Sequence, residues 1–201
     1  MIINGIEYQK PVLVFALESE AGNEFDNFDK IFTGIGKVNA AYSLLKYLKN
    51  NKPDLIINLG TAGGFGFEKG DVVCSTRFIQ RDMDVRELGF ERYKTPLSDE
   101  PVVLDYGLKI NGLQEEICGT GDHFETAHST DAYRVVDMEA YALALVAKRE
   151  NIPFLCLKYI SDGADDSAAT EWSEEVHKAS VKLRKTLDKI KYSDEMPNYF
   201  S

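Results

Sequence analysis

Cysteine is scarce in this 201-residue chain: Cys74, Cys118 and Cys156 are all there is. Their odd number and wide spacing fit neither a zinc knuckle nor a Cys-x-x-Cys redox pair, so each is read as a buried thiol. Long apolar runs are missing as well. The runs there are, such as residues 12–17 and 152–157, fall far short of the ~18 residues of a membrane span. Positive charge is in deficit, with 23 basic against 33 acidic side chains and a formal charge of -10. Such a balance repels phosphate backbones and anionic lipid, so neither nucleic acid nor a membrane is an expected partner. Residues 1–10 carry no basic leader followed by an apolar stretch, from which a cytoplasmic location is expected. His123, His128 and His177 have no Cys or Glu partner at ligand spacing, so no metal is expected. The Gly-x-Ser-x-Gly elbow of a serine nucleophile is absent too.

Hydrophobic residues at 44% and charged residues at 28% are ordinary for a globular protein. Residues 1–201 contain no repeat or Pro/Ser-rich linker and are read as one domain. Residues 12–17 suit a strand buried on both faces, ending at Glu18, Ser19 and Glu20. After Gly34-Ile35-Gly36, the apolar residues Val38, Ala41, Leu44, Leu45 and Leu48 recur at helical spacing until Pro53. Residues 55–59 form a second apolar strand, followed by the glycine run 60–66; strand, helix and strand in this order predict a parallel unit. Further strands are predicted over 72–78, 116–119, 134–138 and 154–160, with helices over 139–150 and 170–190. Residues 80–111 are poorly periodic. Strands alternating with helices predict one three-layer α/β domain, whose ligand site belongs where strands end in loops.

Gly34-Ile35-Gly36-Lys37 is followed by Val38 where a P-loop needs Ser or Thr, and by Asn39 at the third glycine of a dinucleotide fingerprint. Both readings fail, leaving a tight loop before a helix. The glycine run 60–66 is open to two readings, a plain turn or a wall whose N–H groups approach a ligand. Three acids, Glu20, Glu139 and Asp162, each close a predicted strand. Any one of them taken alone reads as a helix cap; three together are harder to read that way.

The segments Ala16-Leu17-Glu18-Ser19-Glu20, Gly34-Ile35-Gly36-Lys37-Val38, Asn58-Leu59-Gly60-Thr61-Ala62-Gly63-Gly64, Val136-Asp137-Met138-Glu139-Ala140 and Tyr159-Ile160-Ser161-Asp162-Gly163-Ala164-Asp165 resemble, in order and spacing, the nucleoside phosphorylase/nucleosidase superfamily. Within it the likeness is closest to the 5′-methylthioadenosine/S-adenosylhomocysteine nucleosidases. The resemblance implies a three-layer α/β/α fold with a mixed, largely parallel central sheet. It also implies hydrolysis of a purine nucleoside, here a 5′-modified adenosine, without cofactor, in a homodimer and in the setting of methionine salvage. Carried over, Glu20 matches the acid that activates water and Lys158 the water-site arginine. Asp162 matches the acid that protonates purine N7, with Ser161 supporting it. Met138 and Glu139 match the ribose-binding pair and Phe124 the aromatic stacked on the base. Ile35 and Trp172 match the surroundings of the 5′ group, and Thr61, Ala62 and Gly63 the glycine-rich wall.

The chemistry calls for these residue types independently. Cleaving an N-ribosidic bond expels a poor leaving group, so an acid must protonate the base. A carboxylate must orient water on the opposite face of the sugar, as in inverting glycosidases, and another stabilises the cationic ribosyl centre. Two departures stand out. Residues 21–33 alone separate Glu20 from Gly34, where family members build two further strands bordering the 5′ side and the dimer interface. Lys158 replaces the planar two-donor fork of arginine by a point charge. The rival readings are a phosphorylase, a hydrolase of another nucleoside such as futalosine, and a nucleoside-binding protein with little catalysis.

Overall fold

The computed structural model describes residues 1–164 and 168–193; Asp165, the last residue of the third acidic motif, lies outside them. A two-stranded ribbon, β1 (Ile2–Ile3) and β2 (Ile6–Glu7), opens the chain. Then follow β3 (Pro11–Phe15), the single-turn α1 (Glu18–Ala21), β4 (Lys30–Phe32), α2 (Lys37–Leu48), β5 (Leu55–Gly64), β6 (Val72–Gln80) and β7 (Leu104–Asp105). The chain continues through β8 (Gln114–Thr120), β9 (Val135–Asp137), α3 (Ala140–Arg149), β10 (Phe154–Asp162) and α4 (Ala168–Ser193).

Eight strands form one mixed sheet in the order β10-β6-β8-β9-β5-β3-β4, with β7 on the flank of β6. Because β10 also pairs with β5, strands β5, β10, β6, β8 and β9 close into a ring that β3 and β4 extend. The pairs β3–β4, β3–β5, β5–β10, β6–β8 and β8–β9 are parallel, and β6–β10, β5–β9 and β6–β7 antiparallel.

Strand alternation explains why the apolar runs are unbroken. Successive side chains point to opposite faces, and here both faces are covered. Val12, Val14, Ile56 and Cys156 pack with Ala40 and Leu44 of α2 and with Ala140, Leu143, Ala144 and Ala147 of α3. Their neighbours Leu13, Phe15, Leu55, Ile57, Leu155 and Leu157 pack on the other side with Ala179, Leu183 and Leu187 of α4. The three cysteines are free and buried in this interior.

Two expectations change. The glycine run does not loop out: residues 60–64 are the second half of β5. Gly63 shows why glycine is required there, since a Cβ would lie 2.8 Å from both Asp162 Oδ1 and Val136 Cγ2. Helix α2 does not bury its whole apolar set either. Ala40 and Leu44 are in the core, whereas Val38, Tyr42 and Leu45 are 78%, 65% and 46% exposed. Residues 21–33 build only the three-residue β4.

Candidate active site

Strands β5 and β10 run in parallel register from Phe154 opposite Ile56 to Ile160 opposite Ala62; there the register shifts, and Asp162 pairs with Gly63. Ser161 is therefore the extra residue of a bulge, a device that re-aims side chains at a strand end. A cavity of about 370 Å³ opens at this point, lined by residues from the ends of β5, β9 and β10, from the loops after β3 and β8, and from α4. Its walls include Glu20, Ile35, Thr61, Ala62, Gly63, Phe124, Met138, Glu139, Ser161, Asp162 and Trp172. The expected site residues thus meet in one place, with Lys158 the exception.

Glu20 is buried, and its carboxylate is held from three sides. The N–H of Thr61 donates to Oε1 at 2.8 Å, the Thr61 hydroxyl donates to the same oxygen at 2.8 Å, and the N–H of Leu17 donates to Oε2 at 3.1 Å. The last bond reaches back to the first turn of α1 as half of a capping box. Capping and cavity lining are therefore combined in one side chain. Trp172 Nε1 in turn donates to Thr61 Oγ1 at 2.9 Å, tying α4 to the floor of the site.

Asp162 is also buried. Its Oδ1 accepts the N–H of Ala164 at 3.0 Å, and Ser161 Oγ lies 2.7 Å from Oδ2 and 3.3 Å from the carbonyl oxygen of Ala62. A hydroxyl has one hydrogen, so Ser161 can donate to only one of these at a time. When that hydrogen turns to the Ala62 carbonyl, the hydroxyl oxygen is free to accept from a protonated Asp162. The site therefore accommodates both forms of this acid.

Glu139 stands at the N-terminus of α3 without capping it. The cap is Asp137, whose Oδ2 accepts the N–H of Ala140 at 2.8 Å and whose Oδ1 accepts the Thr120 hydroxyl at 2.6 Å. Glu139 Oε1 instead accepts the N–H of Gly36 at 2.9 Å across the site. Gly36 has φ of 95°, a backbone form open mainly to glycine, so the loop before α2 supplies a directed donor. Burial, reinforced by the Asp137 charge and partly offset by Lys158, pushes the Glu139 carboxyl up to about 7.

Lys158 does not line the cavity. It points into the interior, where Nζ lies 2.8 Å from Asp137 Oδ2 with both side chains almost fully buried. Burial opposes the charge on each, but the pairing wins: Asp137 is held below the usual carboxylate range and the ammonium stays charged. Lysine is shorter than arginine and delivers one point charge, and Asp137 takes it up beside the cavity.

Several lining residues were not anticipated as site residues from sequence. Arg81, at the end of β6, donates from Nη2 to the carbonyl oxygen of His123, and its Nη1 lies 2.6 Å from His123 Nε2 and 3.2 Å from Glu125 Oε2. Asp82 takes Lys37 Nζ at 2.5 Å and the N–H of Asp122 at 2.9 Å. Together these clamp the loop that carries Phe124. No spacing rule announces them, because Arg81 and Glu125 come from loops that follow different strands, β6 and β8.

Comparison with known proteins identifies the family. The family model of the phosphorylase superfamily matches residues 31–115 and 117–191. A 5′-methylthioadenosine/S-adenosylhomocysteine nucleosidase of Exiguobacterium sp. is 31% identical over 178 residues, covering 77% of this chain and 76% of that one. The Haemophilus influenzae protein of the same name is 34% identical over 164 residues, covering 71% of each. Among solved structures, a Helicobacter pylori mutant nucleosidase with 5′-methylthioadenosine in its active site superposes with a TM-score of 0.83 at 19% identity, over 94% of this chain and 99% of that one. A futalosine hydrolase of the same organism gives 0.82 at 19%, over 94% and 98%; at such identities the two structures speak for the fold alone. The chain belongs to the phosphorylase superfamily and, within it, is a relative of the 5′-methylthioadenosine/S-adenosylhomocysteine nucleosidases.

Proposed function

We propose that the cavity hydrolyses the N-ribosidic bond of 5′-modified adenosines, methylthioadenosine and S-adenosylhomocysteine, releasing adenine without metal or organic cofactor. The observation that carries this reading is the placing of two buried carboxyls, Glu20 and Asp162, on one cavity, each held by hydrogen bonds from its own neighbours. Asp162 donates a proton to purine N7 as the bond from C1′ to N9 breaks and its electrons pass to the base. Glu139 accepts hydrogen bonds from the ribose hydroxyls and stabilises the positive charge growing on the sugar. Glu20 takes a proton from water as the water oxygen bonds to C1′. Met138 packs beside the sugar, Phe124 stacks on the base, and Ile35 and Trp172 face the 5′ group against the Thr61–Ala62–Gly63 wall. Lys158 serves through Asp137 rather than on the water.

Incubation with a nucleoside panel and chromatography of the released base tests this: adenine from methylthioadenosine supports it, and no base from any nucleoside rejects it. Phe124 gives a sharper local test. Its ring is half-exposed at the cavity, and a stacked base typically contributes ~1 to 3 kcal/mol. Phe124→Ala should raise the dissociation constant for adenine by a factor of roughly 5 to 150 at that energy; an unchanged affinity would remove Phe124 from the base site.

Assembly as a homodimer belongs to the same proposal. Val38, Tyr42 and Leu45 lie at spacings of four and three along α2, which is one helical face, and all three are exposed. Phe65, just past β5, is exposed as well. Ala41 is half-buried and residues 60–64 lie within the sheet, so the contact is expected on the outer face of α2. Light scattering should give a dimer at micromolar concentration and a monomer for Val38→Glu/Leu45→Glu; a wild-type monomer would reject it. The reading also assumes a cytoplasmic enzyme of methionine salvage. Among the described residues, no helix is long and apolar enough to cross a membrane.

A further inference from the structure

The polar side chains of the cavity divide by task. Glu20, Thr61 and Glu139 serve the sugar end, Asp137 is paired with Lys158, and Asp162 with Ser161 serves N7. Arg81, His123 and Glu125 remain. All three belong to the wall that carries Phe124, the ring assigned to the base. We propose that the Glu125 carboxylate reads the base, accepting a hydrogen bond from the exocyclic amine of a 6-aminopurine. This rests on the nucleosidase reading and deepens it, making Glu125 a specificity-determining residue.

Three observations support it. First, Glu125 is a charged side chain only 9% exposed that nevertheless lines the cavity. Burying a carboxylate is costly unless it is paired, and this one is held by Arg81 Nη1 at 3.2 Å, His128 Nδ1 at 2.9 Å and the Tyr133 hydroxyl at 3.1 Å. The partners fix its position. Second, a carboxylate has about four lone-pair sites; three protein contacts leave capacity for one more donor from the cavity side. Third, Glu125 immediately follows Phe124. With the base face on Phe124 and N7 at Asp162, the 6-substituent would lie beside N7 on the same edge, towards the wall that Glu125 shares with Arg81 and His123. A base with hydrogen at C6 offers no donor, and a 6-oxo base turns an acceptor towards the carboxylate.

Two nucleosides that differ only at C6 test the proposal: 5′-methylthioadenosine and its analogue with hydrogen in place of the amine. The quantity read is the ratio of their kcat/KM values in the wild type, Glu125→Gln and Glu125→Ala. A hydrogen bond to a charged acceptor corresponds to a factor of about 10 to 100, so the ratio should fall by that factor in Glu125→Ala and by less in Glu125→Gln, which keeps a carbonyl acceptor. A purely structural clamp would lower both rates and leave the ratio within about threefold, which would overturn the proposal. Should Glu125→Ala fail to fold, because Arg81 loses its buried partner, calorimetry on the wild type gives an independent reading. Adenine should bind about tenfold or more tighter than unsubstituted purine, and equal affinities would overturn the assignment. If the wild type hydrolyses neither nucleoside, the hydrolase reading falls, while the two base affinities still decide the role of Glu125.

Discussion

Asp162→Asn should abolish adenine release while leaving fold and ligand affinity almost intact. The amide has the shape of the acid, and its oxygen can accept the Ala164 N–H that now goes to Oδ1. What it cannot do is deliver a proton to N7. General acid catalysis is typically worth ~100 to 10,000-fold, so turnover should fall within that range with the Michaelis constant changed by no more than a few-fold. A variant retaining more than about a tenth of wild-type turnover would take Asp162 out of this role. Gly63 adds a structural corollary, since its missing Cβ is what lets Asp162 sit against β5.

The largest expected loss of stability comes from Lys158→Met. Lys158 and Asp137 are buried together at 2.8 Å, and removing one partner strands the other charge in the interior, which typically costs ~3 to 5 kcal/mol. For a chain of this size that corresponds to a fall in Tm of roughly 6 to 20 °C. Asp137 would keep its bonds from Thr120 and Ala140 but lose its cation. Adding Asp137→Asn removes the stranded charge while preserving an acceptor for Ala140, so the double variant should regain a large part of the loss. If Lys158→Met melted within about 2 °C of the wild type, the pair would not carry the stability assigned to it. Activity gives a second readout. Lys158 opposes the upward push on Glu139, so its removal should raise the Glu139 pKa above about 7 and move the acid limb of the pH profile to higher pH.

Sequence patterning revealed what depends on local order. Buried strands show as apolar runs because both sheet faces are covered, and the acids at strand ends are visible because each interrupts such a run. What it hid depends on long-range closure. The glycine run stays open between a turn and a ligand-facing wall until Asp162 and Val136 are known to press on Gly63. Arg81 and Glu125 are 44 positions apart in sequence and have no meaning singly; pairing of β6 with β8 brings their loops together. The outer face of α2 looks like a core stripe because the exposed Val38 and Leu45 share the helical periodicity of the buried Ala40 and Leu44. Lys158 was placed on the water by likeness to arginine, whereas its shorter reach and the adjacent Asp137 set its actual partner.

The central claim is that water, not phosphate, attacks C1′. Arg81 is the arginine among the described lining residues, and its Nη1 and Nη2 are taken by Glu125 and His123, with Nε left without a partner. Asn58, on β5, is buried and uncharged and donates to the carbonyl oxygen of Val14 at 3.1 Å, so it offers no cation to a phosphate. Glu20 would put a negative charge beside a phosphate dianion, a repulsion that grows as the local dielectric falls. The decisive measurement is base release from methylthioadenosine in phosphate-free buffer and again with millimolar phosphate, with the sugar product identified in both. Equal rates and free methylthioribose in each are predicted; a requirement for phosphate, or a sugar 1-phosphate product, would contradict the assignment of Glu20 and make Arg81 the phosphate ligand to examine.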